Sequence, residues 1–183
     1  MGSVPFGFLI AKIKGVDIRN LGSGNIGATN VYRTVGKKEG ALALILDFAK
    51  GALIVILLKT IFDTTQIVMY VAAIGVILGH DFSLFLKFKG GKGVATTYGS
   101  AMVIAPYASL SGMAVWIIIL VSTKYSSIAA LISFSISTLI CFLSYGVIKG
   151  IFFAFLLFLM IIRHLPNIKR FFNKSENKLS IMG

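Results

Sequence analysis

Residues Gly93–Thr123 read GVATTYGSAMVIAPYASLSGMAVWIIILVST, a run of 31 residues with no charge and with Pro106 inside it. A straight helix crossing a bilayer needs about 20 apolar residues. The run is therefore long for one pass and short for two. Proline lacks an N–H and its ring clashes with the preceding turn, so a kink or reversal is expected at Pro106. Whether the chain turns back there decides on which side of the membrane everything after it lies.

Five other apolar runs flank this one: Val4–Ile13, Ala41–Leu58, Gln66–Gly79, Ile128–Tyr145 and Val147–Ile162. The basic residues fall in three groups around them. Lys12, Lys14, Arg19, Arg33, Lys37 and Lys38 separate the first run from the second. Lys87, Lys89 and Lys92 precede Gly93, and Arg163, Lys169, Arg170, Lys174 and Lys178 make the tail. Basic flanks mark the cytoplasmic side. All three groups can face the cytoplasm only if the chain reverses near Pro106. The expected fold is all-α: one membrane-embedded domain over residues 1–183, with seven transmembrane helices, some short or broken. The N-terminus is then outside and the C-terminus cytoplasmic. The first run is very short for a crossing. Gly75 and Gly79 are spaced for close packing against a neighbouring helix.

Composition agrees. Hydrophobic residues are 57% of the chain and charged ones 13%, where a soluble domain carries roughly a quarter charged. The net charge of +12 could suit nucleic acid. However, the aromatics lie within apolar runs and are not interleaved with basic residues, which argues against it. The lone Cys141 is expected to be a packed thiol. No cleaved signal peptide is expected, because no basic segment precedes the first apolar stretch.

Four polar clusters are not explained by membrane crossing. The loop Leu21–Arg33 (LGSGNIGATNVYR) spaces Gly22, Gly24 and Gly27 as GxGxxG. It lacks the strand and acidic partner of a dinucleotide fold. What remains is anion chemistry: backbone N–H groups, donors on Ser23, Asn25, Thr29 and Asn30, and the charge of Arg33 at an expected helix start. The segment Gly79–Thr97 (GHDFSLFLKFKGGKGVATT) sets Lys92 among Gly90, Gly91 and Gly93. Gly93 stands where a Walker A loop needs Ser or Thr, yet free N–H groups and a mobile ammonium suit phosphate. The turn Lys124–Ser127 and the tail from Arg163 to Arg170 complete the set, and seven passes bring all four to one face. His80 is open to two readings, an acid or base and a structural hydrogen bond. Asp47 and Lys50, at i and i+3, share a helix face and can pair. Lys50 can alternatively touch substrate.

GSGNIGATNVYR (22–33), LDFAKG (46–51) and GHDFSLFLKFKGGKGVAT (79–96) resemble the bacterial membrane glycerol-3-phosphate acyltransferases that use acyl-phosphate, the PlsY type. The likeness extends over nearly the whole chain and more loosely into the tail at Arg163, His164, Asn167, Ile168, Arg170, Glu176 and Lys178. It implies transfer of an acyl group from acyl-phosphate to the 1-hydroxyl of glycerol 3-phosphate, releasing phosphate. It also implies an inner-membrane location with a cytoplasmic site, and neither cofactor nor metal. Ser23, Lys92, Ser127, His164 and Asn167 are the implied catalytic residues. Gly22, Gly24, Asn25, Gly27, Ala28, Thr29, Asn30, Arg33, Lys50, His80, Gly90, Gly91, Gly93 and Arg170 are the implied binding residues. In place of the family's usual residues stand Leu165, Pro166 and Lys174. A second class, a small transporter or channel for an inorganic or phosphorylated anion, would use the same Gly-rich breaks. It calls for matching broken segments in two halves, and the sequence holds no such repeat.

The charge pattern makes a topology prediction. With Cys141 replaced by Ser, single cysteines at Lys37, Lys89 and Lys174 are shielded from an impermeant thiol reagent in intact cells, and one at Asp63 labels. Labelling at Lys174 but not at Lys89 would mean an unbroken Gly93–Thr123 pass.

Overall fold

A computed structural model of the chain describes residues 1–61 and 65–179. Asp63, assigned above to the outer side, lies outside the described residues. Among the described residues there are eight α-helices and no strands. They are α1 (Phe6–Ile13), α2 (Ala28–Thr34), α3 (Lys37–Ile61), α4 (Gln66–Asp81), α5 (Val94–Ile104), α6 (Pro106–Thr123), α7 (Ser126–Tyr145) and α8 (Val147–Phe172). Five segments are long and apolar enough to cross a membrane: α3, α4 with its short 3₁₀ continuation, α6, α7 and α8. The eight residues of α1 and eleven of α5 rise only about 12 and 16 Å, against a hydrocarbon core of about 30 Å.

The long uncharged run is broken where proline requires it. Ala105 is non-helical, and Pro106 opens α6 at the first position, where its missing N–H leaves no hydrogen bond unmade. The pieces are unequal because α5 starts late. The loop before it is drawn back onto the end of α4, Gly91 N–H bonding the carbonyl of His80 at 3.0 Å.

Outward faces of the long helices carry bare hydrocarbon. Leu143 is 78% exposed and Ile148 73%, as on helices that face lipid. Inside, Phe134 stacks on Phe153 with ring centroids 5.6 Å apart, and Tyr98 meets Phe134 edge-on at 5.3 Å. Cys141 is buried and free, as expected. The crossing of α3 and α5 depends on small residues. A Cβ on Gly51 would strike the carbonyl of Thr96, and one on Gly99 the carbonyl of Phe48. The expected Gly75/Gly79 crossing is not what forms. Gly75 faces open space, and Gly79 receives the backbone of Gly2 and Ser3. Two glycines four apart permit close approach but do not name the partner.

The N-terminal segment braces the site. α1 lies antiparallel to the first half of α3. Lys14 pairs with Glu39 at 3.0 Å at one end, and Lys50 Nζ donates to the carbonyl of Val4 at 2.9 Å at the other. Ala11, Ile18, Ile26, Val31 and Ala43 pack between α1, α2 and α3 as a second, small core. This core anchors both ends of the glycine-rich loop.

The crossing yields a paired prediction. Gly99→Ala forces a methyl into the α3 backbone and costs roughly 1–3 kcal/mol. Gly75→Ala meets nothing and is neutral or stabilising by up to about 1 kcal/mol through helix propensity. Thermal unfolding in micelles separates the two, and equal midpoints would mean that α3 and α5 do not cross at Gly99.

Candidate active site

A polar cavity of about 100 Å³ opens among the ends of α2, α3, α4, α5, α7 and α8. Its lining includes Ser23, Asn25, Gly27, Ala28, Thr29, Asn30, Arg33, Asp47, His80, Lys92, Gly93, Ser127, His164 and Asn167. The four polar clusters of the sequence therefore do converge. Gly22, Gly24, Lys50, Gly90, Gly91 and Arg170 are not among the lining residues.

The glycine-rich loop is held by Asn30, which is almost wholly buried. Its amide donates to the carbonyls of Ile18 (3.0 Å) and Leu21 (3.1 Å), and its Oδ1 accepts from Ser23 N–H (3.0 Å). Gly22 sits at φ +59°, and a Cβ there would meet Asn30 Oδ1, so the turn needs glycine. The loop N–H groups were expected to converge on a ligand, and in large part they do not. Gly24 N–H bonds Leu21 O (2.9 Å), and Gly27 N–H bonds Asn25 Oδ1 (2.9 Å). Buried N–H groups must find partners, and nearby side chains supply them. The side chains of Ser23, Asn25 and Thr29 remain at the cavity. Thr29 Oγ1 meets Ser126 Oγ at 2.9 Å, joining α2 to α7.

Arg33 was placed at a helix start, but it lies in the last turn of α2, because the helix begins at Ala28. Its guanidinium reaches the tail, donating to the carbonyls of Lys178 (3.1 Å) and Asn177 (3.4 Å). Burial lowers its pKa from the usual arginine value, partly offset by Glu176.

The loop carrying Lys92 is latched, not free. Arg163 donates to the carbonyls of Gly91 (2.7 Å) and Asp81 (2.9 Å). A Cβ on Gly90 would strike the carbonyl of His80. Gly90 and Gly91 thus let the loop close on α4, and the Gly91 N–H is already bonded. Lys92 Nζ then donates to Asn167 Oδ1 at 2.5 Å. Desolvation draws the Lys92 pKa down to about 8. Glu176 opposes the shift, and Arg170, Arg163 and Arg33 add to it.

The tail folds back beside these cations. Glu176 accepts from Asn167 Nδ2 (2.6 Å), Ser127 Oγ (2.9 Å) and Arg170 Nε (2.9 Å). Burial would raise its pKa, but those hydrogen bonds and Arg170 hold it below the usual carboxylate value. His164 Nδ1 meets the carbonyl of Met160 at 2.8 Å. A carbonyl only accepts, so Nδ1 carries the proton and Nε2 is left as an acceptor. Asp47 and Lys50 pair as expected, at 2.7 Å. Lys50 also meets His80 Nδ1 at 2.8 Å.

Next to the polar cavity lies a second one, about 320 Å³, lined by Leu44, Ile45, Phe48, Ala49, Val94, Ala95, Tyr98, Met113 and Trp116. Leu44, Val94, Ala95 and Trp116 line both. Sequence reasoning missed this groove and Trp116, which were hidden in uncharged runs. It placed Arg163 in the tail cluster without foreseeing its latch on Gly91 and Asp81, and it noted Glu176 in the tail without counting it among the site residues.

Fold and site together define a polytopic helical membrane protein with a cation-lined cavity joined to an apolar groove. The family model for glycerol-3-phosphate acyltransferase matches residues 1–174, and the chain belongs to that family, in its integral-membrane PlsY type. It is 41% identical over 182 residues to glycerol-3-phosphate acyltransferase 2 of Thermotoga maritima, covering 99% of this chain and 92% of that one. It is 43% identical to the glycerol-3-phosphate acyltransferase of Thermosipho melanesiensis, covering 100% and 89%. The crystal structure of PlsY (YgiH), an integral membrane glycerol 3-phosphate acyltransferase, in its glycerol 3-phosphate form, superposes with a TM-score of 0.91. The two share 38% identity, over 98% of this chain and 90% of that one. Its lysophosphatidic acid form gives 0.88.

The position of Lys92 predicts a pH dependence. Its pKa is lowered to about 8, so the ammonium is present below that pH and lost above it. A phosphate monoester is already a dianion above about pH 7. Calorimetric affinity for glycerol 3-phosphate therefore falls between pH 7 and 9.5, and in Lys92→Arg this decline disappears. A decline equally steep in Lys92→Arg would assign it to another group.

Proposed function

We propose that the protein transfers an acyl group from acyl-phosphate to the 1-hydroxyl of glycerol 3-phosphate, giving 1-acyl-glycerol-3-phosphate and inorganic phosphate. The observation that carries this reading is the shared wall of the two cavities. An acyl-phosphate has a phosphate at one end and a chain at the other. With its phosphate among Lys92, Arg33 and the Ser23 loop, and its chain in the groove, its carbonyl falls at Leu44, Val94, Ala95 and Trp116. Ser127, Asn167 and Arg170 already hold the carboxylate of Glu176, so they are oriented for an anion.

The donor is an activated mixed anhydride, so no covalent enzyme intermediate is needed. The glycerol hydroxyl attacks the carbonyl carbon and forms the ester C–O bond. The anhydride C–O bond breaks, its electron pair leaves with phosphate, and the proton ends on that phosphate. The protein holds two mutually repelling anions together and aims the hydroxyl. Lys92, Arg33 and Arg170 offset the repulsion. Ser23 and Asn25 bind phosphate oxygens, His164 Nε2 accepts from the hydroxyl, and Asn167 fixes Lys92.

The reading includes the topology: seven crossings in the bacterial inner membrane, with α1 and α5 as the short ones. Lys37, Lys92 and the tail face the cytoplasm, and α1 runs toward that face with its N-terminal end directed outward. The short α5 supports it, because it leaves a recess in which a water-soluble phosphate and a lipid chain can meet.

Purified protein with acyl-phosphate and glycerol 3-phosphate forms lysophosphatidate and phosphate in equal amounts, and acyl-CoA does not replace the donor. Neither product appearing would refute the reading. Lys92→Ala loses roughly 100-fold or more in kcat/KM, as expected for about 3 kcal/mol of transition-state binding. Lys89→Ala, whose side chain is outside the cavity, stays near the parent. If the two variants behave alike and remain active, Lys92 has no part in the site.

A further inference from the structure

Lys50 is about 1% exposed, and its ammonium has three N–H groups. Three acceptors surround it: Asp47 Oδ1 at 2.7 Å, His80 Nδ1 at 2.8 Å and the carbonyl of Val4 at 2.9 Å. The carboxylate at 2.7 Å keeps the charge on the ammonium. A charged lysine has no lone pair, so His80 Nδ1 must accept. Asp47 Oδ1 is 3.6 Å from His80 Nδ1, too far for a hydrogen bond, so the ammonium and not the carboxylate is the partner of that nitrogen. His80 is therefore neutral, with its proton on Nε2. The bond made by one ring nitrogen sets the state of the other.

Nε2 is left facing the site. His80 lines the polar cavity, and among the described residues no group bonds Nε2. A Cβ on Gly91 would fill the space in front of that nitrogen, and glycine leaves it open. Leu44, one turn from Asp47, lines both the polar cavity and the groove. With Asp47 Oδ1 3.6 Å from its Nδ1, His80 stands near the wall that Leu44 shares with the groove, and His164, with the opposite tautomer, lines the same cavity.

We propose that His80 is a catalytic hydrogen-bond donor in a fixed Nε2–H tautomer, with Lys50 as its positioning residue, and that this N–H binds an oxygen of the acyl-phosphate. The proposal rests on the acyltransferase reading. A neutral N–H that needs no reorganisation stabilises charge developing on the carbonyl or on the leaving phosphate. It also assigns Lys50 a place behind the site and not at the substrate.

Nitrogen-15 NMR of the histidine-labelled protein, with His80 assigned through His80→Gln, reads the tautomers without any turnover. His80 shows a proton on Nε2 alone and His164 on Nδ1 alone. A proton on His80 Nδ1 would overturn the proposal. In kinetics, His80→Gln keeps an N–H toward the cavity and loses less than about 10-fold in kcat. His80→Asn reaches only Lys50 and loses roughly 100-fold, the range seen when an oxyanion donor is removed. KM for glycerol 3-phosphate is unchanged in both. Equal losses in the two variants would also overturn it. Lys50→Met frees Nδ1, mixes the tautomers and lowers kcat. Should it not fold, the double variant Asp47→Asn/Lys50→Met removes both charges and gives the same readout. If the native protein makes no lysophosphatidate, the acyltransferase reading fails, and the tautomers remain measurable.

Discussion

An ammonium buried within a membrane-crossing helix must be surrounded by acceptors or lose its charge. Lys50 meets that demand with one acceptor from each of three segments: Val4 before α1, Asp47 on α3 and His80 on α4. The Lys14–Glu39 pair and a Ser83 Oγ hydrogen bond to the Ser3 carbonyl tie the same parts of the chain at other points. The ammonium fixes the end of α4 against the middle of α3, and Gly91 then pins the Lys92 loop to that end. The late start of α5 follows, and with it the recess in the bundle. Removing one partner would leave a buried charge unmatched, which is far more costly than losing an exposed pair.

The recess collects charge from distant parts of the chain. Arg163, on α8, latches the loop of α5. Asn167, one turn further, receives Lys92. Glu176, beyond the end of α8, returns to α7 through Ser127. Arg33, Lys92, Arg163 and Arg170 surround Glu176, and the carboxylates of Asp81 and Asp47 face Arg163 and Lys50, so positive side chains outnumber negative ones at the site. The apolar groove beside it carries none. That contrast across a wall of four shared residues separates the two ends of an amphiphilic donor.

Much of the architecture was legible because the rules that set it are local. Pro106 opens α6 at the first position, where a proline is favoured, while Pro166 is accommodated inside α8, and the Asp47–Lys50 pair needed only i, i+3 spacing. The meeting of the four polar clusters was expected from charge and an assumed seven-pass path, whereas the choice of Ser23, Lys92, Ser127, His164 and Asn167 among them came from the family resemblance. Other features depend on tertiary partners that spacing does not name. Gly79 packs on the N-terminal segment and not on a helix. The loop N–H groups at Gly24, Gly27 and Gly91 are bonded by Leu21, Asn25 and His80. Arg33 lies at a helix end because Gly27, and not a later residue, precedes the first turn. The groove was invisible for a different reason. Its residues look the same in sequence whether they face lipid, core or a bound chain.

The central claim is that phosphate and acyl chain occupy adjoining compartments, the chain between α3, α5 and α6. Photo-crosslinking with an acyl-phosphate that carries a diazirine in its chain, followed by mass spectrometry, tests this directly. The account predicts labels on Phe48, Tyr98, Met113 and Trp116, suppressed by excess unlabelled donor. Suppressible labels confined to the lipid-facing sides of α7 and α8 would contradict it.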